Sequence, residues 1–342
     1  MRSPLIQRRA LVTGAAGMIG RHLTRRLTSA GYAVTALVRD ARRADLPGID
    51  LCEGEITDPR VVEAAVPGVD QIFHLAACVH APPTTPEAEF WRVNRDGTRH
   101  LIEAAVRHRV STFVHFSTVA VYGETEEMAD EESPAAPATP YGRSKLAAEE
   151  VVRQAARQSS LKTTILRLPV VYGRGDRGNV ARLIEAIRLH RYLIIGDGRN
   201  EKSMLAVANA VDAAILVAED ERSRHRTYVV TDARPYSQLE IAQTIAELLG
   251  EPRNFFHIPS SLALALGSGA DILSFLRGSP LPLSRERVRK LAQNTRYCSD
   301  RLQKELDYLP RQTLREGLAE MIDRDPANRS NVESSTRSRV ED

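Results

Sequence analysis

Tyr141 and Lys145 are the residues of this sequence whose types and spacing best suit proton transfer. They open a segment that we predict to be a helix, because Thr139 can cap its N-terminus and Pro140 suits its first turn. A spacing of four residues places both side chains on one helix face. A nearby ammonium lowers the pKa of a phenol, so the tyrosine can exchange a proton with a substrate hydroxyl or carbonyl. Lys145 is also suited to hold the ribose of a nicotinamide cofactor.

A second group of hydroxyls lies upstream, in the run FSTVAVYG that begins at Phe116. We predict that this run starts at the carboxyl end of a strand, where open α/β sheets bind their ligands. Either Thr118 or Ser117 can then hydrogen-bond the reacting oxygen. A hydroxyl that only caps the end of the strand is the alternative.

The third chemical feature is a glycine-rich turn, TGAAGMIG, at residues 13–20. It lies between a predicted strand at 10–13 and a predicted helix at 18–30. Gly14 permits the tight turn, Gly17 lets backbone N–H groups approach a pyrophosphate, and Gly20 allows close helix packing. The spacing predicts a dinucleotide site that includes Met18 and Ile19, the first residues of the helix.

The end of the second predicted strand bears on the choice of cofactor. NAD sites usually end this strand with an acidic residue, but Val38 occupies that position here and Arg39 follows it. A guanidinium suits a 2′-phosphate, so we favour NADP(H). NAD(H) is the alternative, in which Arg39 only stacks on adenine or Asp40 takes the acidic role.

These features need a scaffold of alternating strands and helices. Apolar runs at 10–13, 33–38, 71–77, 112–117 and 161–171 predict strands, and the pattern at 93–107 predicts one of the helices between them. This order implies an α/β fold, a Rossmann-type doubly wound parallel sheet with a smaller mixed α/β C-terminal substrate domain. We place the cofactor domain at 1–176, with about 203–232 returning to it, and the substrate domain at 177–324. The polar tail, 325–342, is predicted to be disordered.

Composition narrows the class of partner. The 47 basic and 44 acidic residues give a net charge of only +3, which argues against nucleic acid. Three separated cysteines favour neither a zinc site nor a disulfide framework and suit a reducing, cytoplasmic setting. We find no signal peptide and no membrane span, since the longest apolar stretch, 261–276, is interrupted by Gly267, Gly269 and Asp271.

Taken in order, these motifs resemble the extended short-chain dehydrogenases, the epimerase/dehydratase family. The similarity covers nearly all of the chain before the tail. It runs through TGAAGMIG at 13–20, GEITD at 54–58, HLAA at 74–77, VNRDGT at 93–98, STVAVYG at 117–123, YGRSK at 141–145 and RLPVVYGRGD at 167–176. The section from His74 to Thr98 is most similar to nucleotide-linked hexose 4-epimerases and 4-ketoreductases.

The resemblance implies further roles. Thr118, Tyr141 and Lys145 would form the catalytic triad, supported by Asn94, with Thr118 preferred to Ser117. Residues beside the cofactor would be Ile56, Asp58, Leu75, Ala76, Ala77, Pro169 and Val170. The implied substrate lining is Asn179, Arg182, residues 196–202 including Lys202, and residues 285–289. Val119 and Ala120 stand where sugar 4,6-dehydratases carry an Asp-Glu pair, so dehydration is not expected. The family also implies a homodimer formed by the helix after Phe90 and the helix containing Tyr141.

Three functions follow as hypotheses. The first is hydride transfer at C4 of a nucleotide-linked hexose, by 4-keto reduction or 4-epimerisation, with Tyr141 as acid or base and Thr118 orienting the oxygen. The second is a dehydrogenase for a hydrophobic alcohol or ketone, similar to hydroxysteroid dehydrogenases, which the apolar stretch at 261–276 suggests. The third is a nucleotide-sensing protein without catalysis, against which the intact Thr118, Tyr141 and Lys145 argue.

Overall fold

The computed structural model describes residues 7–79, 82, 84–125, 127–266, 268 and 285–323. A parallel sheet of seven strands forms its centre, in the order β3-β2-β1-β4-β5-β6-β11. Its strands are β1 Arg9–Thr13, β2 Ala33–Val38, β3 Asp50–Glu53, β4 Gln71–His74, β5 Thr112–Thr118, β6 Lys162–Leu168 and β11 Arg226–Val229. The predicted doubly wound α/β fold is confirmed. The tail at 325–342 and most of the apolar stretch at 261–276 lie outside the described residues.

The remaining elements surround this sheet or build the smaller C-terminal part. The helices are α1 Met18–Ser29, α2 Pro59–Ala65, α3 Glu87–Phe90, α4 Gly97–Arg107, α5 Pro140–Gln158, α6 Asn179–Arg188, α7 Val207–Glu219 and α8 Gln238–Leu248, followed by Arg285–Ala292, Asp300–Leu306 and Leu314–Ile322. The short strands are β7 Val170–Tyr172, β8 Ile194–Ile195, β9 Glu201–Lys202, β10 Met204–Ala206, β12 Tyr236–Ser237 and β13 His257–Ile258. They pair as β7 with β10, β8 with β13 and β9 with β12.

The strands β1, β4, β5 and β6 are buried along almost their whole length because both faces of the sheet are covered. Successive residues of β5 illustrate this: Val114 packs in one buried cluster with α1 and α7, whereas Phe113 packs in another with α2, α4 and α5. Side chains of neighbouring strand residues point to opposite faces, so a strand buried on both sides needs a continuous apolar run. A third cluster, which includes Ile184 and Ile245, holds the C-terminal part together.

Three predicted elements differ from the structure. The strand predicted at 71–77 ends at His74, which leaves Leu75, Ala76 and Ala77 in a loop. The strand predicted at 161–171 is divided by Pro169, because proline has no N–H to donate to a strand ladder. The helix predicted at 93–107 begins as a π-helical segment, Trp91–Asp96, before α4.

Two global features bear on function. Among the helices that the structure describes, none is long and apolar enough to cross a membrane. The three cysteines, all within the described ranges, are free thiols.

Candidate active site

The site lies at the carboxyl end of the sheet, where the strand order changes direction. β1 is flanked by β2 on one side and β4 on the other, so the connections that follow β1 and β4 diverge. Such a switch point opens a crevice in which α/β proteins bind ligands. Thr13, His74 and Thr118 end β1, β4 and β5 at this edge.

The glycine turn between β1 and α1 is packed so closely that side chains are excluded. Gly14 has a φ of +69°, and a Cβ there would lie 2.7 Å from the backbone nitrogen of Ala76. A Cβ on Gly20 would lie 2.4 Å from the carbonyl oxygen of Gly14. Gly17 caps α1 without a side chain, so the first N–H groups of the helix, from Met18 and Ile19 onward, face the crevice end. This arrangement suits a pyrophosphate anion.

Arg39 and Asp40 follow β2 and differ in their contacts. Asp40 accepts a hydrogen bond from the backbone N–H of Arg42 at 3.0 Å and lies 3.3 Å from the Arg43 guanidinium, so its carboxylate caps a short 3-10 turn. Arg39 is exposed, and its charge partly offsets the burial that raises the pKa of the Cys78 thiol. This places the guanidinium on the side of the loop that follows β4.

Tyr141 and Thr118 meet at the edge of the sheet. The side chain of Thr118 lies beside the Tyr141 phenol, and its Oγ1 accepts from the N–H of Ala120 at 3.2 Å. Burial raises the pKa of Tyr141 to about 12, and the neighbouring Thr118 hydroxyl opposes this rise only in part. The expected lowering of the phenol pKa by a neighbouring ammonium is therefore wrong for this structure, because burial outweighs the stabilisation of a phenolate.

The Lys145 ammonium is directed at β5. Its Nζ donates to the carbonyl oxygen of Phe116 at 2.6 Å and lies 3.3 Å from Nε2 of His115. Burial lowers the pKa of Lys145 to about 8, although the negative charge of Glu149 opposes this change. The Lys145 ammonium is therefore a stronger acid than an ordinary lysine, and its protonation is sensitive to small changes in its surroundings.

Asn94 is a buried bridge between the loop after β4 and α5. Its Oδ1 accepts from the N–H of Cys78 at 2.7 Å, and its Nδ2 donates to the Cys78 carbonyl at 3.1 Å and to Ser144 Oγ at 2.9 Å. Ser144 Oγ in turn donates to the carbonyl of Tyr141 at 2.8 Å. Asn94 thus positions the backbone that carries Tyr141.

His74 was not predicted as a functional residue, yet it joins three segments of the site. On one side of the ring, His74 Nε2 donates to Thr98 Oγ1, which in turn donates to the carbonyl of Asn94. On the other side, His74 Nδ1 accepts from Thr13 Oγ1, and this hydroxyl also accepts from the N–H of Ala76. This directed chain requires a neutral imidazole, and burial lowers the pKa of His74 to about 3. No local sequence pattern shows such a role, which depends on strand pairing.

Ser117 and Thr118 point in different directions. Ser117 Oγ donates to the buried carboxylate of Glu149 at 2.5 Å. Arg167 binds the same carboxylate with two nitrogens, at 3.0 and 2.7 Å, and Arg153 approaches it at 2.6 Å. Ser117 therefore belongs to an ion-pair network beneath the site, whereas Thr118 lies at its surface.

Four other residues predicted to lie beside the cofactor differ in their exposure and contacts. Pro169 is buried, and Val170 is 46% exposed at the start of β7. Ile56 packs behind Gly97, while Asp58 caps α2 by accepting from the N–H of Arg60 at 2.9 Å.

The residues predicted to line the substrate site differ from one another in exposure and in hydrogen bonding. Asn179 and Arg182 are exposed on the first turn of α6. Lys202 Nζ donates to the carbonyls of Lys290 and Gln293 at 3.0 and 2.6 Å, so it caps the C-terminal end of the helix Arg285–Ala292. Its ammonium is thus engaged by backbone, and burial lowers its pKa to about 8.

The sequence profile of the NAD dependent epimerase/dehydratase family matches residues 10–231, which include the glycine turn, Asn94, Thr118, Tyr141 and Lys145. The chain belongs to that family. It is an enzyme of the extended short-chain dehydrogenase type, in agreement with the fold and with the resemblance of its motifs.

Individual relatives have sugar and non-sugar substrates. An Escherichia coli O157:H7 protein named N-acetyl-alpha-D-glucosaminyl-diphospho-ditrans,octacis-undecaprenol 4-epimerase is 30% identical, over 84% of this chain and 86% of its own. A Stigmatella aurantiaca protein named 4-hydroxy-2-methyl-3-oxo-4-farnesyl-3,4-dihydroquinoline-1-oxide ketoreductase is 30% identical, over 93% and 97%. The solved structure of MoeE5 in complex with UDP-glucuronic acid and NAD has a TM-score of 0.73 and 29% identity, over 92% and 97%.

Proposed function

We propose that this enzyme transfers a hydride between a nicotinamide cofactor and C4 of a hexose carried on a diphosphate. The observation that carries the proposal is the position of Tyr141 beside Thr118 at the carboxyl edge of the sheet, one helical turn from Lys145. The glycine turn at 14–20 lies at the same edge. Two hydroxyls and an ammonium beside a phosphate-binding turn are the groups that such a reaction requires.

The residues present fit a nicotinamide dinucleotide. The turn that excludes any Cβ at Gly14 and Gly20 offers the first N–H groups of α1 to the pyrophosphate, and Lys145 would hold the nicotinamide ribose. The bound cofactor supplies or accepts the hydride. Pro169 and Val170 would form the apolar wall beside the nicotinamide.

Tyr141 would move the proton, and Thr118 would orient the substrate oxygen. A phenol whose pKa is about 12 is protonated at neutral pH, so it is ready to donate its proton to the oxygen of a ketone as that oxygen gains charge. In this state Tyr141 suits the reductive step, in which the phenol acts as the acid. Epimerisation would require the same tyrosine to lose its proton first, with the positive charge of Lys145 stabilising the phenolate.

The sugar diphosphate is supported by the relatives. The E. coli relative is named for a sugar on a diphosphate, and MoeE5 was solved with UDP-glucuronic acid. On this chain, exposed Asn179 and Arg182 remain candidates for the diphosphate, as do residues 285–289. Lys202 is a weaker candidate, because it already caps a helix.

Reduction of a hydrophobic ketone is the second candidate. The half-exposed Val170 at the predicted nicotinamide wall favours it, and the Stigmatella relative is named as a ketoreductase of a farnesylated ring. A long-chain alkyl ketone that is reduced faster than a sugar nucleotide would support this candidate.

Arg39 supports NADP(H) as the cofactor, because it is exposed beyond β2 while Asp40 is engaged in capping. NAD in the solved relative keeps NAD(H) as the alternative. We also propose a homodimer through the segment after Phe90 and α5.

The experiment that tests the proposal begins with the cofactor. The purified protein is denatured, any released nicotinamide is identified, and the emptied protein is titrated with NADPH and NADH. UDP-glucose, UDP-N-acetylglucosamine and UDP-glucuronic acid are then each offered with NADP⁺ or NAD⁺, and their products are separated by chromatography. Retained NAD with a C4-epimerised product would favour epimerisation, whereas an empty protein that prefers NADPH would favour reduction. A protein that binds no nicotinamide would contradict the proposal.

A further inference from the structure

His115 is a buried histidine whose contacts the proposed chemistry does not yet use. It lies in the central strand β5, and its ring is completely buried. The ring nitrogen Nε2 lies 3.3 Å from Nζ of Lys145. Because the ammonium can only donate, Nε2 must accept, so His115 is a neutral ring with its proton on Nδ1. That Nδ1 has no hydrogen-bond partner within the part of the chain that the structure describes.

The contact follows from how α5 packs on β5. Residues two apart on a strand share a face, as do residues four apart on a helix. His115 contacts Lys145, and Ser117 in the same way contacts Glu149, so two strand positions meet two successive turns of the helix. The position of the Lys145 ammonium is therefore fixed from below by β5.

The three protons of the Lys145 ammonium can be assigned. One is donated to the carbonyl of Phe116 and one to His115 Nε2, which leaves one for the cofactor side. Lys145 is buried, and no carboxylate appears among its hydrogen-bond partners in the described ranges. Each neutral acceptor therefore contributes to keeping the charge in place.

We propose that His115 is a positioning residue, a neutral acceptor that holds the Lys145 ammonium in its charged form and directs its free proton toward the nicotinamide ribose. This inference rests on the proposed function, because it assigns that ribose to Lys145. Phe116 supplies only a backbone carbonyl, which no side-chain substitution removes. His115 is thus a direct acceptor of this ammonium that a side-chain substitution can remove.

Other titratable or charged groups surround the pair. They are Tyr141, Glu149 and Arg153 on α5, His74 on β4 and Arg167 on β6. Glu149 favours the charged form of Lys145, but its oxygens are bound by Arg167, Arg153 and Ser117. His74 has both ring nitrogens engaged by threonines. His115 is therefore the titratable side chain that accepts directly from the ammonium.

The test measures the affinity for NADH against pH in the full chain. The pKa of Lys145 is about 8, so we expect wild-type affinity to weaken by about tenfold above that pH, as a charge-assisted hydrogen bond is lost. Lys145→Met should abolish this loss of affinity at alkaline pH, the alkaline limb of the profile, and would thereby assign the limb to Lys145 rather than to Lys202. In His115→Leu the limb should move to lower pH by about one unit, because the ammonium loses an acceptor. His115→Gln, whose side-chain oxygen is as many bonds from Cβ as the Nε2 atom that it replaces, should restore the wild-type pH dependence.

A measurement on the wild-type protein removes the dependence on mutant folding. Nitrogen NMR of the histidine rings should show His115 as the neutral Nδ1–H tautomer, with an Nε2 signal that changes as Lys145 titrates. A ring protonated on Nε2, or the same alkaline limb in His115→Leu as in wild type, would overturn the inference. Failure of the proposed function is distinguishable, because wild type itself would then bind neither NADH nor NADPH at any pH.

Discussion

The glycine turn offers a prediction in which crowding can be separated from backbone conformation. Gly14 and Gly31 both adopt left-handed conformations, with φ of +69° and +87°. A Cβ at Gly14 would lie within 3.0 Å of the backbone of Leu75 and Ala76, whereas one at Gly31 would meet nothing within 4 Å among the described residues. An alanine in this conformation costs about 1–2 kcal/mol. Overpacking against a fixed backbone adds about 1–3 kcal/mol.

We therefore expect Gly31→Ala to lower the free energy of unfolding by about 1–2 kcal/mol and Gly14→Ala by about 2–5 kcal/mol. Urea unfolding followed by circular dichroism measures both values. Gly14→Ala should also weaken NADPH binding by about tenfold or more, since it moves the phosphate turn away from the loop after β4. Equal destabilisation of the two variants would refute the inferred contact.

Three other perturbations test the surroundings of the site. Glu149→Gln should destabilise the fold by about 3–5 kcal/mol, because it leaves the buried Arg167 charge uncompensated. The control Glu150→Gln, at an exposed position, should change stability by less than about 0.5 kcal/mol. Urea unfolding measures the free energy of unfolding of both variants. The pKa of His74 is lowered to about 3 in the folded protein, so between about pH 6.5 and 3 the imidazole is protonated in the unfolded state only. The free energy of unfolding should therefore fall as the pH drops from about 6.5 toward 3. His74→Gln should reduce that slope by about 1.4 kcal/mol per pH unit. Arg39→Ser should weaken NADPH binding about tenfold and leave NADH binding within about twofold of wild type, as measured by fluorescence titration. Equal effects on both cofactors would contradict a contact between Arg39 and the 2′-phosphate.

Local sequence patterns were sufficient to predict the bounds of elements whose surroundings are uniform along their length. β2 was predicted with its observed bounds, Ala33–Val38, because it is apolar and buried along most of its length. The start of α5 followed from its cap: Thr139 accepts from the N–H of Gly142 at 3.0 Å, and Pro140 begins the helix. Family resemblance suggested roles that spacing alone does not indicate, such as that of Asn94, which stays a prediction.

Contacts between distant segments were beyond the sequence. His74 lies opposite His115 only because β4 and β5 pair in that register. The Lys145 ammonium bonds to a backbone carbonyl of β5, and Lys202 caps a helix that follows about 90 residues later. The pKa of Tyr141 was misjudged for the same reason, since burial depends on the packed site and not on the neighbouring lysine alone.

The most direct test of the central claim compares wild type with Tyr141→Phe. Both proteins are loaded with cofactor, supplied with the sugar nucleotide that the wild type turns over, and followed by the absorbance of reduced nicotinamide and by product chromatography. If Tyr141 moves the proton, turnover should fall by about 10²–10⁴-fold while the affinity for cofactor stays within about twofold. Turnover in Tyr141→Phe equal to that of the wild type would contradict the mechanism.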